Sequence, residues 1–165
     1  MSSKLKNLSD YKIPCIPDDA LKSIKIGIVI SEWNSNITEA LAKGCIETLT
    51  KHKIKKENII SITVPGSFEL PKGAKYLIDK NVIDTVICIG CVIQGETRHF
   101  EFICQAVSYG IMKLNLETNI PVIFGVLTTN NIEQARERAG GKYGNKGVEA
   151  AITAIKMASL KFLSS

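Results

Sequence analysis

Four runs rich in isoleucine and valine recur along the chain, and they constrain its fold more than any other feature. They cover residues 24–30, 59–64, 85–93 and 121–127. Because these runs are almost continuously apolar, we expect strands that are buried on both faces of a sheet. A helical pattern separates each run from the next, which is typical of a parallel sheet with right-handed crossovers. The sequence therefore predicts an α/β fold, with a four-stranded parallel sheet and helices on both faces.

The helices are predicted from apolar residues that recur with a helical period. They cover residues 36–49, 70–79, 98–116 and 131–138, and a last helix follows residue 147. Residues 1–22 are polar and contain Pro14 and Pro17, so we expect an extended amino-terminal arm there. Residues 23–165 are expected to form a single domain.

Composition indicates a globular protein that acts on small anions rather than on nucleic acids or membranes. The chain has 165 residues, of which 45% are hydrophobic and 22% charged, and its net charge is +5. Much of the excess lies in residues 51–56, where no aromatic residues separate the basic ones. We therefore interpret this run as a solvated helix end and loop. The apolar run 86–93 is too short to span a bilayer, and a mild positive charge suits small anionic substrates.

The five cysteines are expected to be reduced thiols. Cys88 and Cys91 form a C-x-x-C pattern, but it lies within a predicted strand. It therefore lacks the helix dipole that lowers the pKa of a redox-active thiol. With two histidines and no second C-x-x-C pattern, we expect neither a metal site nor disulfides. The amino terminus has no apolar segment of signal-peptide length, so we expect a cytoplasmic protein.

The carboxyl ends of the predicted strands bring four loops together, and ligands of open parallel sheets bind beyond these ends. The loops are residues 31–35, 65–69, 94–99 and 128–131. Trp33, the only tryptophan, either packs in a core or interface or offers a platform for an aromatic ring. Glu69 either complements the dipole of the helix that follows or, with Ser67, binds the hydroxyl groups of a polyol.

The loop after the third strand combines anion-binding and proton-transfer groups. Gly95, Glu96 and Thr97 offer backbone N–H groups at a strand-to-helix turn, where α/β folds bind anions. The Glu96 carboxylate argues against an anion site unless it points away. His99 follows on the first turn of a predicted helix and suits proton transfer at neutral pH. A single histidine is often structural, but this one follows a glycine turn.

Two further candidates lie outside these loops. Arg138, with Lys142 and Lys146 in the glycine-rich segment, has phosphate-binding chemistry. The simpler interpretation is that Gly140 and Gly141 end one helix and that an asparagine caps the next. Phe124 lies within the fourth predicted strand, so core packing is its default interpretation.

Five segments resemble signature blocks of the 6,7-dimethyl-8-ribityllumazine synthases, which act in riboflavin biosynthesis. They are residues 64–71, 90–102, 124–129, 133–139 and 144–147. The resemblance extends over residues 20–162 and implies a flavodoxin-like, three-layer sandwich. It also implies a condensation, without metal or redox cofactor, of 5-amino-6-(D-ribitylamino)uracil with 3,4-dihydroxy-2-butanone 4-phosphate. The products would be 6,7-dimethyl-8-ribityllumazine, phosphate and water.

The resemblance assigns roles to matching residues. Trp33 would stack on the pyrimidine, and His99 would donate and accept protons. The other residues implied to bind the pyrimidine or the ribityl chain are Asn34, Ser67, Phe68, Glu69, Cys91, Val92, Ile93, Phe124 and Lys146. Those implied to bind phosphate are Gly95, Glu96, Thr97 and Arg138. Cys91 replaces the threonine of many relatives, which matters only if a hydroxyl is required there. Phe124 and Arg138 would reach the site from a neighbouring subunit, with the carboxyl end of the fourth strand at the subunit border.

The resemblance also implies partners. The family forms homopentamers, some of which assemble into icosahedral shells of sixty chains, and it is functionally linked to riboflavin synthase. Two alternatives come from other classes: a flavin-binding electron-transfer module, and a shell protein that has lost catalysis. The first requires a Ser/Thr-rich phosphate loop after strand one, where this chain has Glu32 and Trp33. The second is disfavoured by the presence of Glu69, His99 and Arg138.

Overall fold

The four predicted strands pair in one parallel sheet. The structure, a computed structural model, describes residues 17–80 and 82–162. The strands are β1 (Ile26–Ser31), β2 (Ile59–Val64), β3 (Thr85–Ile93) and β4 (Val122–Thr129), in the order β2-β1-β3-β4. The second and third predicted strands have the observed bounds, and the other two are displaced by one or two residues at their ends. The predicted flavodoxin-like α/β architecture is confirmed.

Helices cover both faces of the sheet. They are α1 (Asp18–Ser23), α2 (Ser35–Lys51), α3 (Leu70–Lys80), α4 (His99–Glu117), α5 (Ile132–Glu137) and α6 (Lys146–Ser159). Buried residues of α2 and α6 form one apolar cluster with the sheet, and those of α3 and α4 form a second cluster on the opposite face. Within the described residues, no helix is long and apolar enough to cross a membrane.

Strand β3 shows why the apolar runs lack alternation. Ile87, Ile89 and Cys91 belong to the cluster under α2 and α6, whereas Val86 and Cys88 belong to the cluster under α3 and α4. Both faces of the strand are therefore buried, as predicted. Cys88 and Cys91 face opposite sides, so their sulfurs cannot pair. Burial raises the pKa of Cys88 to about 12 and that of Cys91 to about 11, which keeps both thiols protonated and unreactive.

The prediction of an extended arm over residues 1–22 is wrong where the structure tests it. Helix α1 begins at Asp18, and residues 1–16 lie outside the described part of the chain. Leu21 and Ile24 are buried in the first apolar cluster. Asp18 and Asp19 in the first turn stabilise the helix through their interaction with its dipole. A short apolar contact with the core therefore stabilises a helix that has too few residues to show a period.

The glycine-rich segment forms a hairpin that the sequence did not predict. Strands β5 (Ala139–Gly141) and β6 (Gly144–Asn145) pair there, so Gly140 and Gly141 lie in the hairpin rather than at a helix end. Asn145 caps α6 as expected, because its side-chain oxygen accepts hydrogen bonds from the first backbone N–H groups of the helix. Its amide also donates to the Ala40 carbonyl of α2 at 3.0 Å. The hairpin is thus fixed to both helices of this face.

Candidate active site

Three of the four predicted loops enclose one pocket at the carboxyl edge of the sheet. The cavity measures about 750 Å³, within the usual range for small-molecule sites. The predicted site residues that line it are Trp33, Asn34, Ser67, Phe68, Glu69, Cys91, Val92, Ile93, Gly95, Thr97 and His99. The loop after β4 does not contribute to its lining.

Trp33 lies at the mouth of the pocket, with 73% of its surface exposed. Its backbone N–H donates to the Pro65 carbonyl at 3.1 Å, and that of Glu32 donates to the Val64 carbonyl at 2.8 Å. These hydrogen bonds attach the first loop to the second and leave the indole free. The interpretation of Trp33 as a core residue is therefore wrong for this chain, and the ring is available for stacking.

Asn34 fixes the same loop to the central strand. Its backbone is left-handed, with φ of 61° and ψ of 43°, a conformation that asparagine tolerates better than most residues. The side-chain amide donates to the Cys91 carbonyl at 3.0 Å. One donor of Asn34 is therefore already used within the chain, and its predicted contact with substrate remains a prediction.

Ser67 and Glu69 both lie in the second loop, but only the side chain of Glu69 has a hydrogen-bond partner among the described residues. The Glu69 carboxylate accepts a hydrogen bond from the Gly66 N–H at 3.0 Å and so caps its own turn, as the structural interpretation expects. Ser67 is only 6% exposed, and its hydroxyl has no hydrogen-bond partner among the described residues. Buried hydroxyl groups are nearly always paired. The Ser67 hydroxyl is therefore an unsatisfied polar group of a pocket-lining residue, and it lies beside Gly90 of β3.

The loop after β3 presents His99 at the start of α4. The Thr97 hydroxyl accepts a hydrogen bond from the His99 backbone N–H at 3.4 Å, and both residues are exposed at the pocket. Glu96 is also exposed but does not line the pocket. Its carboxylate therefore does not oppose an anion held by the loop, whereas backbone N–H groups and the Thr97 hydroxyl remain compatible with one.

Cys91 lines the pocket, and its carbonyl accepts a hydrogen bond from the Asn34 amide at 3.0 Å. Its side chain belongs to the apolar cluster under α2 and α6. The expectation that the cysteine matters only if a hydroxyl is required at this position stays a prediction.

Four lining residues were not among the predicted site residues: Pro65 and Gly66, which lie in a predicted loop, and two residues outside the predicted loops. Phe100 and Ile103 stand three positions apart on the first turns of α4 and close the apolar side of the pocket. Their spacing places them on one helical face. That signal was present in the sequence, but it is also typical of a helix that simply packs on a sheet.

Phe124, Arg138 and Lys146 do not line the pocket of their own chain. Phe124 is the third residue of β4, pairs with Cys88 and packs against the second apolar cluster. The prediction that Phe124 lies within the fourth strand is confirmed, and its contribution to the site of a neighbouring subunit stays a prediction.

Arg138 and Lys146 meet at a buried carboxylate that the sequence analysis missed. Glu149 on α6 accepts a hydrogen bond from the Arg138 guanidinium at 2.7 Å and from the Lys146 ammonium at 3.2 Å. Arg138 also donates to the Tyr143 carbonyl in the hairpin. No signal in the linear sequence distinguishes Glu149 from a solvated helix residue.

Comparison with known proteins gives one consistent family. A model of 6,7-dimethyl-8-ribityllumazine synthase matches residues 23–161. A protein of that name from Cytophaga hutchinsonii is 62% identical over 157 residues, which cover 95% of this chain and 97% of its own. One from Porphyromonas gingivalis is 53% identical over 161 residues, covering 98% and 99%. The match includes the sheet, the pocket loops and the segment from Arg138 to Glu149. The chain therefore belongs to the 6,7-dimethyl-8-ribityllumazine synthase family.

Proposed function

We propose that this chain condenses 5-amino-6-(D-ribitylamino)uracil with 3,4-dihydroxy-2-butanone 4-phosphate to give 6,7-dimethyl-8-ribityllumazine, phosphate and water. The observation that carries the proposal is the meeting of three groups at one pocket: an exposed indole, an unpartnered hydroxyl and a histidine. Trp33 stacks on the pyrimidine ring. Ser67 and the Glu69 carboxylate, which can accept further hydrogen bonds, bind the ribityl hydroxyls.

The chemistry requires proton transfer and departure of a phosphate group. The uracil amine attacks the ketone and forms an imine with loss of one water. Phosphate then leaves by elimination, and ring closure of the second amine onto the remaining carbonyl releases a second water. His99 transfers protons in these steps, because an imidazole can both accept and donate them at neutral pH. The loop of Gly95 and Thr97 holds the phosphate through N–H and hydroxyl donors. Binding the two substrates together in one cavity lowers the entropic cost of their reaction.

We further propose that the site is completed by a neighbouring copy of the chain in a homopentamer. Arg138, Lys146 and Phe124 do not line the pocket of their own chain, and we assign them to substrate binding at the pocket of an adjacent chain. An exposed apolar face on α4 supports self-association. Its residues Phe102, Tyr109, Met112 and Leu116 are each more than half exposed, and their spacing places them along one side of the helix.

The pentamer predicts a measurable change on substitution of Met112. The wild-type protein should show about five chain masses by light scattering. Met112→Glu should shift it towards smaller species, because a buried carboxylate without a partner is costly in an apolar contact. Val82→Glu is the matched control, since Val82 is an apolar residue outside α4 that is 79% exposed. A monomeric wild type, or equal masses for both variants, would contradict the proposal.

We place the enzyme in the cytoplasm, where riboflavin synthase would consume the lumazine. The described cysteines, Cys45, Cys88, Cys91 and Cys104, are all free thiols. Free thiols are typical of proteins in a reducing compartment.

Activity is expected to persist in a metal chelator. Among residues 17–80 and 82–162, no group of three or more histidine, cysteine, aspartate or glutamate side chains could hold a metal ion. The purified protein should therefore form the green-fluorescent lumazine from the two substrates at the same rate with and without chelator. Inorganic phosphate release gives an independent measure. Activity that is lost in chelator and restored by a divalent ion would contradict the metal-free reaction, and no product in any buffer would refute the proposed function.

A further inference from the structure

Glu149 lies between the two cations that the proposed function assigns to substrate binding. The residue is 7% exposed. One carboxylate oxygen accepts from the Arg138 guanidinium at 2.7 Å, and the other accepts from the Lys146 ammonium at 3.2 Å. The side chains of Arg138 and Lys146 are themselves only 15% and 28% exposed. The three groups therefore form a partly enclosed cluster.

The backbone around this cluster is fixed, and its amides are already used. Asn145 accepts from the N–H groups of Gly147 at 2.8 Å and Val148 at 3.3 Å. The Lys146 N–H donates to the Arg138 carbonyl at 2.9 Å. An anion at this point therefore cannot rely on the first turn of α6, and the side chains of Arg138 and Lys146 must supply the donors.

Both cations keep capacity for a ligand while Glu149 holds them. A guanidinium has five N–H donors and an ammonium has three. The described contacts use two donors of Arg138, towards Tyr143 and Glu149, and one donor of Lys146. Two cations and one carboxylate also leave a net positive charge, so the cluster still attracts an anion.

We propose that Glu149 is a positioning residue, which holds Arg138 and Lys146 at one carboxylate so that both contact the phosphate of the same substrate. Lys146 then binds phosphate, rather than the pyrimidine or the ribityl chain as the resemblance implies. This inference rests on the proposed function for the identity of that substrate. Without the carboxylate, the two side chains repel each other and lose their common acceptor. The side chains of Arg138 and Lys146 would then have to become ordered each time the substrate binds, and this ordering has an entropic cost.

Glu149→Gln separates positioning from simple charge neutralisation. The substitution preserves size but leaves Lys146 facing an amide, and it raises the net charge of the cluster. If Glu149 only neutralises the cations, inorganic phosphate should bind more tightly. If it positions them, the Kd of inorganic phosphate and the KM of the phosphorylated butanone should rise by about 10- to 100-fold, while the KM of the uracil substrate stays unchanged. Calorimetry and steady-state kinetics on the assembled protein measure these values.

Two further variants test whether Glu149→Gln acts through Arg138 or through a general loss of structure. Glu133→Gln, an exposed change of the same charge on α5, should leave both constants unchanged. In an Arg138→Ala background, Glu149→Gln should have a much smaller effect on phosphate binding, whereas a general loss of structure would act equally in both backgrounds. If Glu149→Gln does not fold, as judged by circular dichroism, Glu149→Asp replaces it, because the shorter carboxylate cannot contact both cations.

The outcomes distinguish this inference from the proposed function. Unchanged or tighter phosphate binding in the Glu149 variant would overturn the positioning role, even if the wild type forms lumazine. Wild-type protein that binds no inorganic phosphate, or binds it equally well after Arg138→Ala, would also overturn it. A wild type that forms no lumazine but binds phosphate in a Glu149-dependent manner would refute the proposed reaction and leave the positioning role supported.

Discussion

Replacing His99 by alanine is expected to lower kcat for lumazine formation by about 10²- to 10⁴-fold, the usual contribution of one general acid–base group. His99 is the first residue of α4 and is exposed at the pocket. Among the described residues, its side chain makes no hydrogen bond that would suggest a structural role. Its loss should therefore leave both the fold and the binding of the ribitylaminouracil nearly intact. Stopped-flow fluorescence gives kcat, and calorimetry gives the Kd of the uracil substrate.

His52 provides the matched control for this variant. It is the other histidine of the chain and follows the last residue of α2, where burial and the neighbouring Lys51 lower its pKa. His52→Ala should leave kcat and its pH dependence unchanged. Equal kcat values for wild type and His99→Ala would exclude His99 from the mechanism.

The sheet could be predicted from sequence because its strands are buried on both faces. A run such as Thr85–Ile93 is almost uninterrupted in apolar residues, and this signal does not depend on distant parts of the chain. The carboxyl ends of such strands meet at one edge in any parallel sheet. The positions of Trp33, Ser67 and His99 at one pocket therefore followed from local patterns and topology.

The features that were missed depend on contacts between distant or very short segments. Helix α1 is stabilised by Leu21 and Ile24 against the core, and its six residues are too few to show a helical period. The hairpin strands have only three and two residues, contain glycines, and show no alternation of apolar and polar residues. Glu149 becomes a buried acceptor only because the hairpin returns Arg138 to the start of α6. No pattern of residue types could reveal that geometry.

Arg138→Ala is expected to weaken the binding of the phosphorylated substrate, and not that of the uracil substrate. A charge-assisted contact with phosphate contributes about 1.5–3 kcal/mol, which corresponds to roughly 10- to 150-fold in affinity. The KM of the butanone phosphate should rise by that factor, and the KM of the uracil substrate should remain unchanged. Lys146 stays beside Glu149, so the buried carboxylate keeps one cation and the protein should still fold. Thermal unfolding of the variant checks this point, since loss of one partner from a buried pair is destabilising.

Co-refolding then tests whether Arg138 serves an adjacent subunit. In a mixed ring of His99→Ala and Arg138→Ala chains, a site regains both residues where an intact His99 faces an intact Arg138 across a subunit contact. In a ring of head-to-tail contacts, random equal mixing gives about one quarter of the sites this arrangement. At butanone phosphate concentrations well below the KM of Arg138→Ala, where each variant alone has little activity, the mixture should therefore recover about a quarter of the wild-type activity. His99→Ala mixed with the double variant His99→Ala/Arg138→Ala is the control, because no chain in that mixture carries His99. Recovery in the first mixture alone supports a shared site. Absence of recovery at every mixing ratio, in rings of confirmed mass, would show that both residues act within one chain.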